Sequence, residues 1–158
     1  LLLCTADGHH PGHVFKAEEG KLLEIKLDLV LTTNDRVKAI EVIHNGKVVK
    51  SVECGDAQSQ TKTTSLTVRE SGWFLVRAIT DNAQTFRFGS TAPFFVEVGK
   101  QDRRISKASV RFFEEWVEDR IARLEKALPE AAQRKEALEP HEKARQFWKD
   151  LASKANAE

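Results

Sequence analysis

The segment Ser71–Val98, SGWFLVRAITDNAQTFRFGSTAPFFVEV, sets the tightest limits on what this chain can fold into. It reads as two strands joined by a polar turn. In the first strand Phe74, Val76 and Ala78 fall on one face, and Trp73, Leu75 and Ile79 on the other, with Arg77 among them. Side chains alternate across a strand, so both faces of this one need a covering layer. A second sheet can cover one face. The helical tail that begins near Ile105 is the candidate for the other. In the second strand Gly89 predicts a bulge. Pro93 cannot donate to a ladder, so it predicts an edge or a restart, after which Phe94, Val96 and Val98 share one face.

The segments before it carry strand patterns as well. Residues 1–6 read as a strand that ends in the turn dipeptides Asp7-Gly8 and Pro11-Gly12, and Val14-Phe15 resumes extended structure. Over residues 21–32, Leu23, Ile25, Leu27, Leu29 and Leu31 alternate with Glu24, Lys26, Asp28, Val30 and Thr32. Period two over this length predicts a half-buried strand with one wet face. Ile40 and Val42 belong to a strand ending at His44, and Asn45-Gly46 predicts a tight hairpin because both residues tolerate positive φ. Leu66 and Val68 mark another half-wet strand. About seven short strands at regular spacing predict an antiparallel immunoglobulin-like β-sandwich. The Cys–Trp–Cys hallmark of true immunoglobulin domains is missing, so the expectation concerns architecture and not that family.

The character of the chain changes after Gly99. Ser106 can cap a helix. Phe113, Trp116, Val117, Ile121, Leu124 and Leu128 recur at helical spacing as one apolar stripe, with Asp119 and Arg123 paired on the wet side. Pro129 suits the first turn of a second helix, and Glu139-Pro140 predicts that this helix breaks. The last piece carries Ala144, Phe147, Trp148 and Leu151 on one face. The expected organisation is therefore a β-sandwich over 1–99 and a helical tail over 100–158, packed on the sheet as one compact unit.

Charge and cysteine usage narrow the function classes. The 25 basic and 24 acidic residues leave a net charge of +1, so no basic field draws the chain to nucleic acid or an anionic membrane. No apolar run reaches membrane-spanning length, and Leu1–Cys4 is too short for a signal peptide and lacks a basic flank. A soluble chain of unassigned compartment is expected. The sequence has no Met and opens in apolar, strand-like residues, which suggests a C-terminal fragment of a larger protein. Cys4 and Cys54 fit no zinc spacing. They pair if the first strand lies beside the one ending near Cys54, and otherwise remain two buried thiols.

No residue cluster announces an active site, and no catalytic, cofactor or metal residue is assigned. His9, His10 and His13 could hold a transition metal, but Pro11-Gly12 prevents a helix from placing them on one face, and only Asp7 lies nearby. An exposed polar loop is the plainer reading. His44 reads as a solvated hairpin residue and His141 as a residue at a helix start. Ser71-Gly72 lacks the frame of a nucleophile elbow. Ser90-Thr91 follows Gly89 in the expected bulge, where a local kink is the simplest account. Trp116 and Trp148 sit in helical stripes and read as core, whereas Trp73 suits either core or a sugar-stacking platform. Lys100, Arg103 and Arg104 look like a linker face, since no aromatic residues interleave with them.

Four stretches carry a family resemblance. SGWFLVRAI…FRFGSTAPFFVEV resembles the C-terminal part of PHP-type metal-dependent hydrolases of the CehA/McbA-like branch. LLLCTADGHHPGHVF looks like the entry into that region, IEVIHNGKVV like its NG hairpin, and LEPHEKARQFW like its terminal helix. The four span almost the whole chain in the shared order. The resemblance implies that the parent is a phosphoesterase-like metallohydrolase whose divalent metal is held by an upstream catalytic domain. This chain has no counterpart to those ligands, so no catalytic residue carries over. It would be a non-catalytic accessory module packing on that domain, with Leu1–Thr5 and Ser90–Pro93 near the contact. Relatives often have His or another polar residue where this chain has Ser90. A stand-alone module binding glycan or protein through Trp73 or the sheet face is the alternative.

Overall fold

A computed structural model of the chain describes residues 1–99 and 104–157. The chain divides into two compact units, Leu1–Arg103 and Arg104–Glu158. The strands are β1 (Leu2–Ala6), β2 (Val14–Ala17), β3 (Leu23–Thr32), β4 (Val37–His44), β5 (Lys47–Glu53), β6 (Ser59–Val68), β7 (Gly72–Thr80), β8 (Phe88–Ser90) and β9 (Phe94–Val98). Two helices follow, α1 (Lys107–Ala127) and α2 (Ala131–Ala152).

The strands form two sheets. One has the order β1-β3-β6; the other has β2-β9-β7-β4-β5, with β8 also paired to β7. In immunoglobulin lettering these are A-B-E and A′-G-F-C-C′, the order of an immunoglobulin-like sandwich. One feature departs from the antiparallel expectation: β2 runs parallel to β9, from Val14 opposite Phe95 to Ala17 opposite Val98. The turns at Asp7-Gly8 and Pro11-Gly12 carry the chain out of the smaller sheet without reversing it for good. Gly12 N–H donates to Pro93 O at 2.8 Å and Phe95 N–H to His13 O at 2.9 Å, which seats the chain beside β9.

The alternation in residues 21–32 is realised. Ile25, Leu27, Leu29 and Leu31 are buried, whereas Glu24, Lys26 and Thr32 are exposed. Their partners across the sandwich are Ile40, Val42, Phe74, Val76, Phe94 and Val96. Phe74 and Phe94 stack with ring centres 4.9 Å apart, and Phe15 lies 6.2 Å from Phe74. Each such side chain contributes about 1.5–3 kcal/mol through burial, which makes this layer the main source of the unit's stability. On the outward side of β7, Trp73, Leu75, Arg77 and Ile79 are half-buried. Arg77 there donates from Nε and Nη2 to Glu41 Oε2 at 3.0 and 2.7 Å.

The expected bulge lies just beyond Gly89, not at it. Phe88, Gly89 and Ser90 pair in regular register with Ile79, Ala78 and Arg77, and Phe94 then pairs with Phe74. Three steps along β7 thus face four along the partner, so one extra residue is accommodated in Thr91–Pro93. The buried Thr91 fills the gap: its N–H donates to Val76 O at 3.0 Å and its Oγ1 accepts from Val76 N–H at 3.3 Å. Pro93 sits where no ladder donor is needed, and the strand restarts after it, as expected.

In the helical unit Ser106 caps α1, its side chain accepting from Ser109 N–H. Asp119 and Arg123 pair at 2.8 Å. Arg145 of α2 reaches Glu118 of α1 at 2.7 Å, and Phe113 stacks on Trp148 at 4.7 Å. Lys107 N–H donates to Ala157 O, and Asn156 and Ala157 N–H to Ile105 O, so the two ends of the helix pair are clipped together. Three expectations fail here. Pro140 lies inside α2 and does not end it. Beyond it, Arg145 and Trp148 hold α2 to α1, which proline preference alone does not register. Pro129 precedes Glu130, the N-cap residue of α2, and so stands outside the first turn. Trp116 is 58% exposed and therefore not core.

Candidate functional site

The outer edges of β1 and β8 lie side by side where the two sheets open. A Cβ placed on Gly89 would stand 4.0 Å from Leu2 Cβ. Beside that contact a cleft of about 450 Å³ is lined by Leu2, Leu31, Val37, Ala78, Phe88 and Gly89, among others. Two of its lining residues, Leu1 and Phe88, are 75% and 59% exposed, and Leu3 and Phe86, near them in the chain, are 51% and 75% exposed. Phe86 and Phe88 lie against each other at 5.5 Å. Exposed apolar groups gathered in one place mark contact surfaces more often than scattered ones do.

The polar groups of the cleft rim are already paired. Arg87 Nη1 donates to Asp35 Oδ2 at 2.8 Å and its Nε to Thr85 Oγ1 at 2.8 Å. Thr33 Oγ1 donates to Asp35 O at 2.8 Å. The Arg87–Asp35 pair holds the 33–35 turn against the β7–β8 loop. The cleft offers apolar surface and shape, with no free nucleophile or base aimed into it among the described residues.

The sequence-flagged segments Leu1–Thr5 and Ser90–Pro93 are brought to this edge in part. Leu1 to Leu3 are there; Ser90 is exposed beside it; Thr91 turns inward to the ladder. Phe86 and Phe88 carry one sequence signal, their i, i+2 spacing inside the polar run TDNAQTFRFG, where two phenylalanines on one side have no core to enter.

His9 and His13 do come together, with rings stacked at 3.7 Å and 4° from parallel, and Phe15 meets His13 edge-on at 4.7 Å. Face-to-face rings aim their nitrogens outward along parallel planes and not at a shared point. Among the described residues no group of three or more His, Cys, Asp or Glu side chains could hold a metal ion. His44, expected in solvent, is half-buried with Nε2 shut off from it, because its partner in register is the core residue Phe74. His141 lies within α2, its Nδ1 2.9 Å from Ala137 O. Cys4 and Cys54 are both free thiols; β1 pairs with β3, and no ladder brings it to the strand before Cys54. Burial pushes the Cys4 thiol up to about 12, with the Asp28 charge adding to the shift, and burial also raises Cys54. Neither is poised as a nucleophile. Ser71 is buried and accepts Val98 N–H at 2.9 Å, a structural clasp. Trp73 is half-buried in a cross-strand row with Phe95 and Val14, which are 42% and 38% exposed. Lys100 and Arg103 lie outside the described residues.

No family model and no curated protein matches the sequence. Among solved structures the chain is similar to the fibronectin(III)-like modules of CbhA from Clostridium thermocellum, at 17% identity and a TM-score of 0.39 over 63% of this chain and 99% of that one. It is also similar to the CARDB domain of PF1109 from Pyrococcus furiosus, at 21% identity and a TM-score of 0.36 over 63% and 95%. A structure of that CARDB domain in complex with di-metal ions gives 16% identity and a TM-score of 0.34 over 63% and 94%. No helix among the described residues is long and apolar enough to cross a membrane.

Proposed function

We propose that this chain is a non-catalytic accessory module that docks onto a neighbouring domain of a larger protein through the β1–β8 edge. The observation that carries the reading is the pair of exposed apolar residues Leu1 and Phe88 lining one open cleft, with the exposed Leu3 and Phe86 near them in the chain. A docked domain removes them from water, at about 25 cal/mol per Å² of apolar surface covered. The sequence resemblance supports a PHP-like metal-dependent hydrolase as the parent. Its catalytic domain would hold the divalent metal and carry the phosphoesterase-like chemistry, and this module would form a wall beside the substrate cleft. Radical footprinting of the protein recovered from its source cells, against this chain alone, tests the docking. Protection of Leu3, Phe86 and Phe88, with an intact mass well above 17.8 kDa, is expected. Equal labelling in both samples removes the reading.

A second reading rests on the row Trp73–Phe95–Val14 across the outward face of the larger sheet. Such a row suits a glycan or peptide-binding platform. Tryptophan fluorescence that stays unchanged through a panel of glycan titrations eliminates glycan binding at Trp73.

A further inference from the structure

In the helical unit the large apolar side chains are left outside. Among the described residues α1 buries only Val110, Val117 and Ile121, and α2 buries no residue fully. A pair of helices is one layer, and its apolar stripe needs a second layer to cover it. Phe112, Phe113, Trp116 and Phe147 are 60%, 39%, 58% and 58% exposed. They are gathered and not scattered. Phe112 meets Phe113 edge-on at 5.3 Å, Phe113 stacks on Trp148, and Trp148 meets Phe147 edge-on at 5.2 Å. A ribbon of four rings thus crosses from α1 to α2.

Phe113, Trp116 and Arg120 follow one another at i, i+3 and i+7, the spacing of a single stripe along α1. Arg120 is exposed, and among the described residues its guanidinium joins no ion pair or hydrogen bond. The other arginines nearby are committed: Arg111 to Glu115, Arg123 to Asp119 and Arg145 to Glu118. The stripe therefore carries an exposed indole and a free guanidinium one turn apart. A guanidinium over the face of an indole is an attractive pair. The apolar surfaces of the sandwich offer no such pair. Arg87, between Phe86 and Phe88, is held by Asp35 and Thr85, and Arg77, on the same side of β7 as Trp73, is held by Glu41.

We infer that this face is a two-fold contact between two copies of the chain: α1 packs antiparallel on α1 of the second copy, and Arg120 of each lies over Trp116 of the other. A two-fold contact demands a surface that complements itself, so that residue i meets j and j meets i. Trp116 and Arg120 meet that demand. With the axis passing between them, antiparallel helices bring position 116 opposite position 120 twice. The area suffices as well. An aromatic side chain offers about 150–250 Å², so the exposed parts of the four rings amount to about 400 Å² per copy and about 800 Å² for the pair. A standard interface buries about 1,600 Å² in all, of which a little over half is apolar. The rings alone supply most of that apolar share. The inference concerns the helical unit and is independent of the docking edge on the sandwich.

Sedimentation equilibrium of the full 158-residue chain tests it. Dimers are expected to form between about 1 μM and 1 mM. Trp116→Ala and Arg120→Glu should each weaken association at least about tenfold, with circular dichroism unchanged because both positions are exposed. Mixing the two variants is the stricter measurement. The mixed pair regains one Trp116–Arg120 contact that neither variant forms with itself, so the mixture should associate more tightly than either variant alone. A chain that stays monomeric throughout overturns the inference and leaves the face to a different protein. Association that both variants leave unchanged overturns it too, because the contact then lies on another surface. A mixture no tighter than its components overturns the two-fold pairing of Trp116 with Arg120.

Discussion

Replacing Gly72 by alanine isolates one close contact from the general cost of altering a strand. Asn45 leads the tight turn with φ of 50°, and its side chain folds back on the start of β7. Its Oδ1 accepts Trp73 N–H at 3.1 Å, and its Nδ2 donates to Glu70 Oε1 at 3.1 Å. A Cβ on Gly72 would fall inside the contact radius of Asn45, 2.7 Å from Cγ and nearer still to both terminal atoms. Gly72 is not among the glycines with positive φ, so alanine suits its backbone and the whole penalty lies with Asn45. Displacing that amide strips the half-buried Trp73 N–H of its acceptor, at about 1–3 kcal/mol. Alanine returns about 0.4–1 kcal/mol by restricting the unfolded chain. Gly72→Ala should therefore destabilise the native chain by about 1–2 kcal/mol. In an Asn45→Gly background the obstacle is gone, and glycine tolerates the turn's positive φ. There the same substitution should be neutral or stabilising by up to about 1 kcal/mol. Urea unfolding of the four proteins, followed at the strand band in circular dichroism, measures the cycle. An equal loss in both backgrounds would refute the reasoning, because the cost would then lie in the strand and not in Asn45.

Three further outcomes follow from single contacts. Ser71→Ala leaves the buried Val98 N–H without its 2.9 Å acceptor and should cost about 1–3 kcal/mol, whereas Ser71→Thr, which keeps the oxygen, should recover part of it; equal losses for the two would count against the clasp. The Cys4 thiol lies near 12 in the folded state against an ordinary 9.0, so its contribution is whole below pH 9 and is lost as pH rises toward 12. The loss reaches about 4 kcal/mol at the top of that range, and Cys4→Ala should flatten the alkaline limb of the stability profile; an unchanged limb sinks the assignment. Pro140→Ala restores a helical donor at an exposed position of α2 and should raise the thermal midpoint of the helical unit, by up to about 3 kcal/mol in stability; a lower midpoint would show that the helix is built around the proline.

The legible parts of the fold are those whose signals are local. Residues 21–32 announce their buried face by period two, and Asn45-Gly46 announces its turn because the positive φ at both residues is intrinsic to them. Ser106 is read as a cap from its position before the apolar stripe. The misreadings share a physical cause, which is that neighbours distant in sequence decide the outcome. Pro140 stands inside α2, whose part beyond it is held to α1 by Arg145 and Trp148. Trp116 stays exposed because a stripe of apolar spacing does not reveal which of its members meets a partner; Val110, Val117 and Ile121 are buried, and the bulkier aromatics beside them are not. Gly89 signals a bulge because glycine permits one, whereas the extra residue is absorbed where Thr91 can bond to Val76 with both its backbone and its hydroxyl.

The candidate edge depends on a topological event that no single segment encodes. β1 pairs with β3, and only after the turns at Asp7-Gly8 and Pro11-Gly12 does the chain join the other sheet as β2, beside β9. That switch leaves the part of β7's partner strand above Pro93 without an outer neighbour. Had β2 continued upward along β8, that strand would have an outer neighbour within the sandwich. The open edge thus has its origin in the division of the first strand between two sheets. Lengthening β2 upward at the expense of the His10–His13 turn should close the edge and abolish docking while leaving the core residues in place. Native-like stability together with unchanged partner binding in such a variant would separate the docking surface from β8.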